Sequence, residues 1–594
     1  MAVLQKSGCH LRSGIRFLRW GVGILMALSL SLHAETLQQI QDLADAGAPA
    51  LALDLLQQQQ PALTDNTDGW MVWERSRVHI YAASSDWQAM ATRLQQLPSD
   101  LPENFSRWAV TWRARALIEI HQPEQARVLL RQLLWSNEGG DSDIIAWRRL
   151  VIRSYRSEGR GADAYAAMQR YRQDYGKGGR DDAVLGAQVL LGQGRAADAV
   201  DVLAGADDPE ARSLLLLAQL RSVQLAPRKV LRQARVALRD KTLTLPLRQQ
   251  YQAIVAIAAK AADDPAAEAI ALETLFSNAR RTPYDKTLFP LTPDDLWNAY
   301  VAYAKRVGNR EQLLIGDDAA WNKAAAAAGR MYPIRAHSFY ALLALEGLDE
   351  KTRLEAHSAL VEQLLQADDG AELVRQLYLA APRYKDIYDV PENVRRVLLD
   401  PVIASGDLAL ASKLLAGLNE PTAGADRTMW RLRQAKVFVL AGDHKRAAEV
   451  LGGLVQTASQ LARPEVDRLI QVLFDLQTVG ENDVAYELFA ALEKEVSDPQ
   501  VQRELWYWMG DSRLAQKRYV EAAALYLRSA TAIGVHAMDP WAQTSRYQAA
   551  QTLAKAGLVA DARTLYEQLL AATDDPSRRA VLQRDLQQLL LLKQ

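Results

Sequence analysis

The sequence predicts an all-α protein, a right-handed α-solenoid built of helical hairpins. Three observations predict it. A turn residue, an alanine five positions later and a large apolar residue four positions after that recur along the chain at steps of 35 to 40 residues, the length of two helices and their turns. No stretch alternates apolar and polar residues for long enough to make a strand. The 594 residues exceed what a single core usually organises, so several domains or one long array are required.

The first element is an export signal. Residues 1–34 carry Lys6, Arg12, Arg16 and Arg19 and no Asp or Glu, then an apolar run from Trp20 to Leu32, then His33-Ala34-Glu35. A basic segment, a short apolar stretch and a small residue describe a secretory signal peptide, and the run is shorter than the roughly 20 residues of a membrane span. Cleavage is expected near Ala34. The lone cysteine, Cys9, lies before the apolar run and leaves with it. The remaining chain then has no thiol, which suits an oxidising periplasm. It also loses four positive charges, taking the net charge from −1 to −5. Neither value draws the chain to nucleic acid or to an anionic membrane.

The repeats follow over 35–210 and 391–580. Their anchors are Gly47-Ala52-Leu56, Gly159-Ala164-Met168, Gly194-Ala199-Leu203, Gly406-Ala411-Leu415, Gly442-Ala447-Leu451, Gly480-Ala485-Phe489 and Gly557-Ala562-Tyr566. Two copies replace the glycine, as His121-Ala126-Leu130 and Lys517-Ala522-Tyr526. Glycine suits a left-handed cap on the first helix, because it carries no Cβ. Alanine marks the close approach of the second helix, and the residue four later lies on the same face. Pro61, Pro209, Pro421, Pro499 and Pro576 are expected where second helices stop.

Trp506, Gly510, Tyr519, Ala522 and Tyr526 occupy aromatic, small, aromatic, alanine and aromatic positions in one copy, and in this the chain resembles the tetratricopeptide repeat family. The resemblance implies stacked hairpins that bind a protein segment along a groove. The first-helix glycine is usually replaced, as by Ala435 or Ala550, and the period is longer than the family's. Between 211 and 390 the pattern weakens into an irregular helical segment, with prolines at 283, 290 and 293 before Leu296. Within it, 336–348 (Ala-His-Ser-Phe-Tyr-Ala-Leu-Leu-Ala-Leu-Glu-Gly-Leu) is similar to a helix of the superhelical region of periplasmic lytic transglycosylases. The segment 581–594 reads as a capping helix over the last repeat.

No catalytic motif emerges. There is no Walker loop, His-Glu-x-x-His helix or Gly-x-Ser-x-Gly elbow. Gly192-Gln-Gly-Arg-Ala-Ala197 sits at a helix–helix turn rather than after a strand. The histidines are dispersed, and the Glu-Ser pair of lytic transglycosylases is missing. No enzyme activity, metal or cofactor is therefore expected. The charged feature is arginine. In 227–239, Arg228, Arg232, Arg235 and Arg239 are spaced to stack on one helix face, while Leu231, Ala234 and Leu238 make a separate face for packing. A second cluster holds Arg148, Arg149, Arg153, Arg156 and Arg160 among Trp147 and Tyr155. Arg228, Arg232, Arg235, Arg239, Arg149, Arg153 and Arg156 are the candidate ligand-binding residues, for an acidic protein segment or an anionic envelope polymer. The expectation is a non-enzymatic periplasmic scaffold in envelope or exopolysaccharide assembly. The alternative is a peptidoglycan-binding relative or regulator of cell-wall enzymes.

Overall fold

A computed structural model describes residues 36–136, 138–176, 178–279, 284–421, 424–532 and 539–591. The export segment expected over 1–34 lies outside them. Among the described residues every regular element is helical, which is the all-α class expected. The chain forms two compact units that divide between Ser222 and Val223.

In the first unit, five hairpins follow one another: Leu37–Asp45 with Pro49–Gln59, Thr67–Ala83 with Trp87–Gln95, Glu103–Glu119 with Pro123–Ser136, Asp141–Ser157 with Gly161–Tyr175, and Arg180–Gly192 with Ala196–Leu203. Helix Pro209–Arg221 packs on the last of them. The C-terminal part of the second unit repeats this plan: Glu392–Ala404 with Leu408–Leu415, Arg427–Leu440 with His444–Val455, Arg463–Thr478 with Asn482–Glu495, Pro499–Ala515 with Tyr519–Ala530, and Pro540–Lys555 with Val559–Ala571. Each helix packs on its chain neighbours, so the buried seam is local, the mark of an α-solenoid.

The repeat spacing works as physics requires. Every anchor turn residue of the nine copies takes a left-handed φ, between +60° at His121 and +96° at Gly47. His121 and Lys517 do so despite a Cβ, at a strain of about 1–2 kcal/mol each. All nine anchor alanines are at most 1 % exposed, and the apolar residues four later at most 2 %. Gly510 is likewise forced: a Cβ there would meet the Tyr526 ring at 2.8 Å. Pro209, Pro499 and Pro576 do not follow second helices but open the next helix, where a missing N–H costs nothing. The final helix begins at Pro576 rather than 581 and packs Leu582 and Leu589 against Tyr566 and Leu569.

Three further hairpins lack the alanine of the anchors, and two of them the glycine. Ser85, Asp263 and Gly316 also have left-handed φ values, of 58°, 56° and 71°. Five and nine positions later stand the buried pairs Met90 and Leu94, Glu268 and Leu272, and Trp321 and Ala325. Around the last two of these the middle segment is folded on its own core. Helix Pro333–Glu346 is buried from Ala336 through Ala344, and Trp297 is fully buried beside the π-helical turn Gln376–Ala380. The proline-marked break is the loop before Pro293, which starts helix Pro293–Val307 under a Thr292–Asp295 capping box.

Glu268 stands where most copies have alanine. Burial pushes its carboxyl up to about 7 from 4.5, opposed by Lys260 and reinforced by Asp295. The folded state thus holds a proton that the unfolded chain releases near its ordinary pKa, and stability is lost as pH rises from about 4.5 to 7. Glu268→Gln is expected to leave stability at pH 5 nearly unchanged and raise it at pH 8 by on the order of 2 kcal/mol. Urea denaturation at the two pH values checks this. A variant whose gain is equal at both would show that Glu268 does not titrate in this window.

Candidate functional site

The candidate arginines fall into two groups, one in each unit. Trp147, in helix Asp141–Ser157, points into the core and donates from its indole to Thr111 Oγ1 at 2.8 Å. Its neighbours Arg148 and Arg149, about 100° apart around the helix, therefore leave on different sides. Arg148 turns toward Asp174 at 3.0 Å and stacks on Tyr175. It borders a groove of about 700 Å³ with Tyr155, Asp163 and Arg170. Arg160, beyond the helix end, pairs with Asp163 and lies over Tyr155.

Arg149 and Arg153 face the other side. There the first helices of two consecutive hairpins enclose a recess of about 290 Å³, lined by Thr111, Trp112, Arg115, Ala146, Arg149, Leu150 and Arg153. Helix Asp141–Ser157 contributes a stripe with i, i+4, i+7 spacing, Ala146, Leu150 and Arg153, and helix Glu103–Glu119 contributes Thr111 and Arg115, one turn apart, beside Trp112. Arg149 is not free for a ligand. Its Nε donates to Asp182 Oδ1 at 2.7 Å, its terminal nitrogen to Oδ2 at 2.9 Å, and Tyr171 hydroxyl bridges the same carboxylate. Asp182 is buried, so this bidentate pair clamps the next hairpin and raises the Arg149 pKa.

Arg153 is different. Its side chain reaches solvent and makes no hydrogen bond or ion pair among the described residues. The recess walls thin the water around it, and Arg115 and Arg156 repel it, so its pKa is lowered even though Glu119 and Asp181 attract it. Arg156 is half-buried and does not line the recess. Arg115 lies over Trp112 at 5.1 Å and Trp87 at 5.6 Å.

In the second unit, Arg228, Arg232 and Arg235 share one exposed face of helix Pro227–Ala237, above buried Val230, Leu231 and Ala234. Arg239 does not join the stack. The helix is capped at Leu238, and Arg248 ties the carbonyls of Leu238 and Asp240, so Arg239 lies in the turn beyond. None of the four side chains makes an ion pair or hydrogen bond among the described residues.

Sequence reasoning missed a further groove. Met429, Trp430, Arg433 and Lys436 of helix Arg427–Leu440 face Arg468, Gln471 and Val472 of helix Arg463–Thr478 across about 560 Å³ of largely apolar space. Arg433 is paired with Asp400 and Lys436 with Asp475, while Arg468 donates to the Met429 sulfur at 2.7 Å. The signal was the i, i+4, i+7 spacing of Met429, Arg433 and Lys436.

Among the described residues, no group of His, Cys, Asp and Glu is placed to hold a metal ion, and no helix is long and apolar enough to cross a membrane. His337 and His444 are each held by one glutamate, Glu273 at 2.8 Å and Glu481 at 2.6 Å.

No family model and no curated protein matches this chain. Among solved structures it is similar to the APC/C hetero-tetramer Cut9–Hcn1, at 11% identity over 94% of this chain and 97% of that one, with a TM-score of 0.28. It is also similar to yeast Tom70, at 11% identity over 83% and 97%, TM-score 0.23, and to the pentatricopeptide repeat protein PPR10 in complex with an 18-nt psaJ RNA element, at 12% over 92% and 88%, TM-score 0.29. At such identities and scores the assignment of the fold rests on the helix arrangement of the chain itself.

Proposed function

We infer that the chain is a non-enzymatic scaffold that binds an extended segment of a protein partner. One observation carries this reading. In both units, first helices of consecutive hairpins present side chains one helical turn apart and enclose an open groove between them, so a long ligand can touch several repeats with a few side chains from each. The exposed arginines of 228–239 add a charged surface suited to acidic material. The basic-then-apolar pattern of 1–34 supports export to the periplasm, and we place the scaffold there, in assembly of the envelope or of an exported polysaccharide.

Cross-linking pull-downs from a periplasmic extract test the reading, with the exported chain and an Arg228→Glu/Arg232→Glu/Arg235→Glu variant as baits and isolated wall sacculi as a parallel ligand. The expected result is a discrete protein partner and no retention on sacculi. Retention on sacculi that the triple variant abolishes, with no protein recovered, would favour the cell-wall alternative instead. The compartment is tested separately by placing residues 1–34 ahead of a reporter that folds only after export.

A further inference from the structure

We propose that the recess between helices Glu103–Glu119 and Asp141–Ser157 is a subsite for the side-chain carboxylate of an acidic residue in the bound segment, received by Arg153 with Arg115 as its neighbour. The proposal rests on the scaffold reading and names the ligand chemistry of one of its grooves. Three observations converge on it. Arg153 and Arg115 line one recess, and among the described residues their mutual repulsion is answered there by no ion pair: Arg149, the third arginine, is already spent on Asp182. Glu119 and Asp181 lie near enough to attract Arg153 but do not pair with it. The Arg115 Nε is buried without a hydrogen-bond partner, so the guanidinium there is only partly satisfied. A carboxylate supplies the charge and the acceptors that the site lacks.

The size and walls of the recess choose the source of that carboxylate. At about 290 Å³ it lies at the small end of ligand pockets and accommodates one side chain. Trp112, the aromatic wall, is engaged by Arg115 over its ring at 5.1 Å and by His79 at 6.1 Å. It is therefore not a bare platform on which a sugar ring of an acidic polysaccharide could stack.

A peptide array of random 15-residue sequences, probed with the full exported chain, tests the proposal. Bound peptides are expected to be enriched in Asp and Glu. In solution, replacing the critical Glu of a selected peptide by Gln, or Arg153 by Glu, is expected to weaken binding about tenfold at low salt, with the loss shrinking as salt rises. A Glu→Lys peptide should recover binding to the Arg153→Glu protein. Because Arg153 makes no hydrogen bond or ion pair among the described residues, Arg153→Gln and Arg153→Glu should keep the parent's circular dichroism and melting temperature. Peptides bound without acidic enrichment, or binding indifferent to both Arg153 variants, would overturn the carboxylate subsite while leaving the scaffold reading in place. Failure to bind any peptide would overturn both. Oligogalacturonate that competes for Arg153 and outbinds every peptide would assign the recess to an acidic polysaccharide and overturn the proposal.

Discussion

Replacing Glu74 with alanine is expected to destabilise the first unit by about 3–5 kcal/mol, the range found when one partner of a buried ion pair is removed. Glu74 has no exposed surface. It receives the guanidinium of Arg93 through Nε at 3.1 Å and through a terminal nitrogen, the amide of Gln60 at 2.9 Å, and an ion pair from Arg77 at 3.3 Å. Gln60 follows the first hairpin, Glu74 and Arg77 lie in the first helix of the second, and Arg93 in its second helix. The carboxylate is thus the knot between two hairpins. Its loss strands Arg77, which is only 3 % exposed, as an unpaired buried charge. Glu74→Leu combined with Arg77→Met should recover most of the loss, because the penalty belongs to the abandoned charge rather than to the absent attraction. Urea unfolding followed by tryptophan fluorescence separates the two variants; equal destabilisation in both would show that packing volume, not charge, sets the cost.

Trp297→Ala is expected to have a comparable effect in the second unit, about 3–5 kcal/mol, because a fully buried indole is replaced by a cavity. The ring meets Tyr378 edge-to-face at 5.5 Å and His357 at 6.0 Å, Arg383 covers it at 5.0 Å, and its N–H donates to Leu377 carbonyl at 3.1 Å. That carbonyl belongs to the π-helical turn Gln376–Ala380, so the variant removes both packing and a partner for irregular backbone. Trp135→Ala, at a site 79 % exposed, should change stability by no more than about 0.5 kcal/mol. Thermal melts monitored by near-ultraviolet circular dichroism compare them, and similar melting temperatures for the two variants would contradict the assigned core.

The hairpins were legible because their chemistry is local. A left-handed turn, a close approach five residues on and a groove-filling side chain four beyond that all lie within ten positions, so spacing alone reports them. The copies at Ser85, Asp263 and Gly316 stayed hidden for a physical reason. The turn tolerates a Cβ at modest cost, and the larger side chains of Met90, Glu268 and Trp321 are buried at the alanine site. Pro209, Pro499 and Pro576 misled because Pro favours the first turn of a following helix as well as the end of a preceding one. The arginine spacing correctly placed Arg228, Arg232 and Arg235 on one face. It could not reveal that Arg149 is bound to Asp182, 33 positions away, because that pairing exists only after the repeats stack. Of the groove at Met429 and Arg468 the sequence carried only the stripe on one helix, since each helix supplies half of it.

The central claim is that the hairpins on either side of the middle segment share buried seams only with their neighbours, so damage to one should stay near it. Hydrogen–deuterium exchange on the Glu74→Ala chain measures this most directly. Faster exchange is expected in helices from Leu37 to about Glu119, with the helices of 392–591 unchanged from the parent. A uniform acceleration across the whole chain would mean one shared nucleus, and would contradict the account.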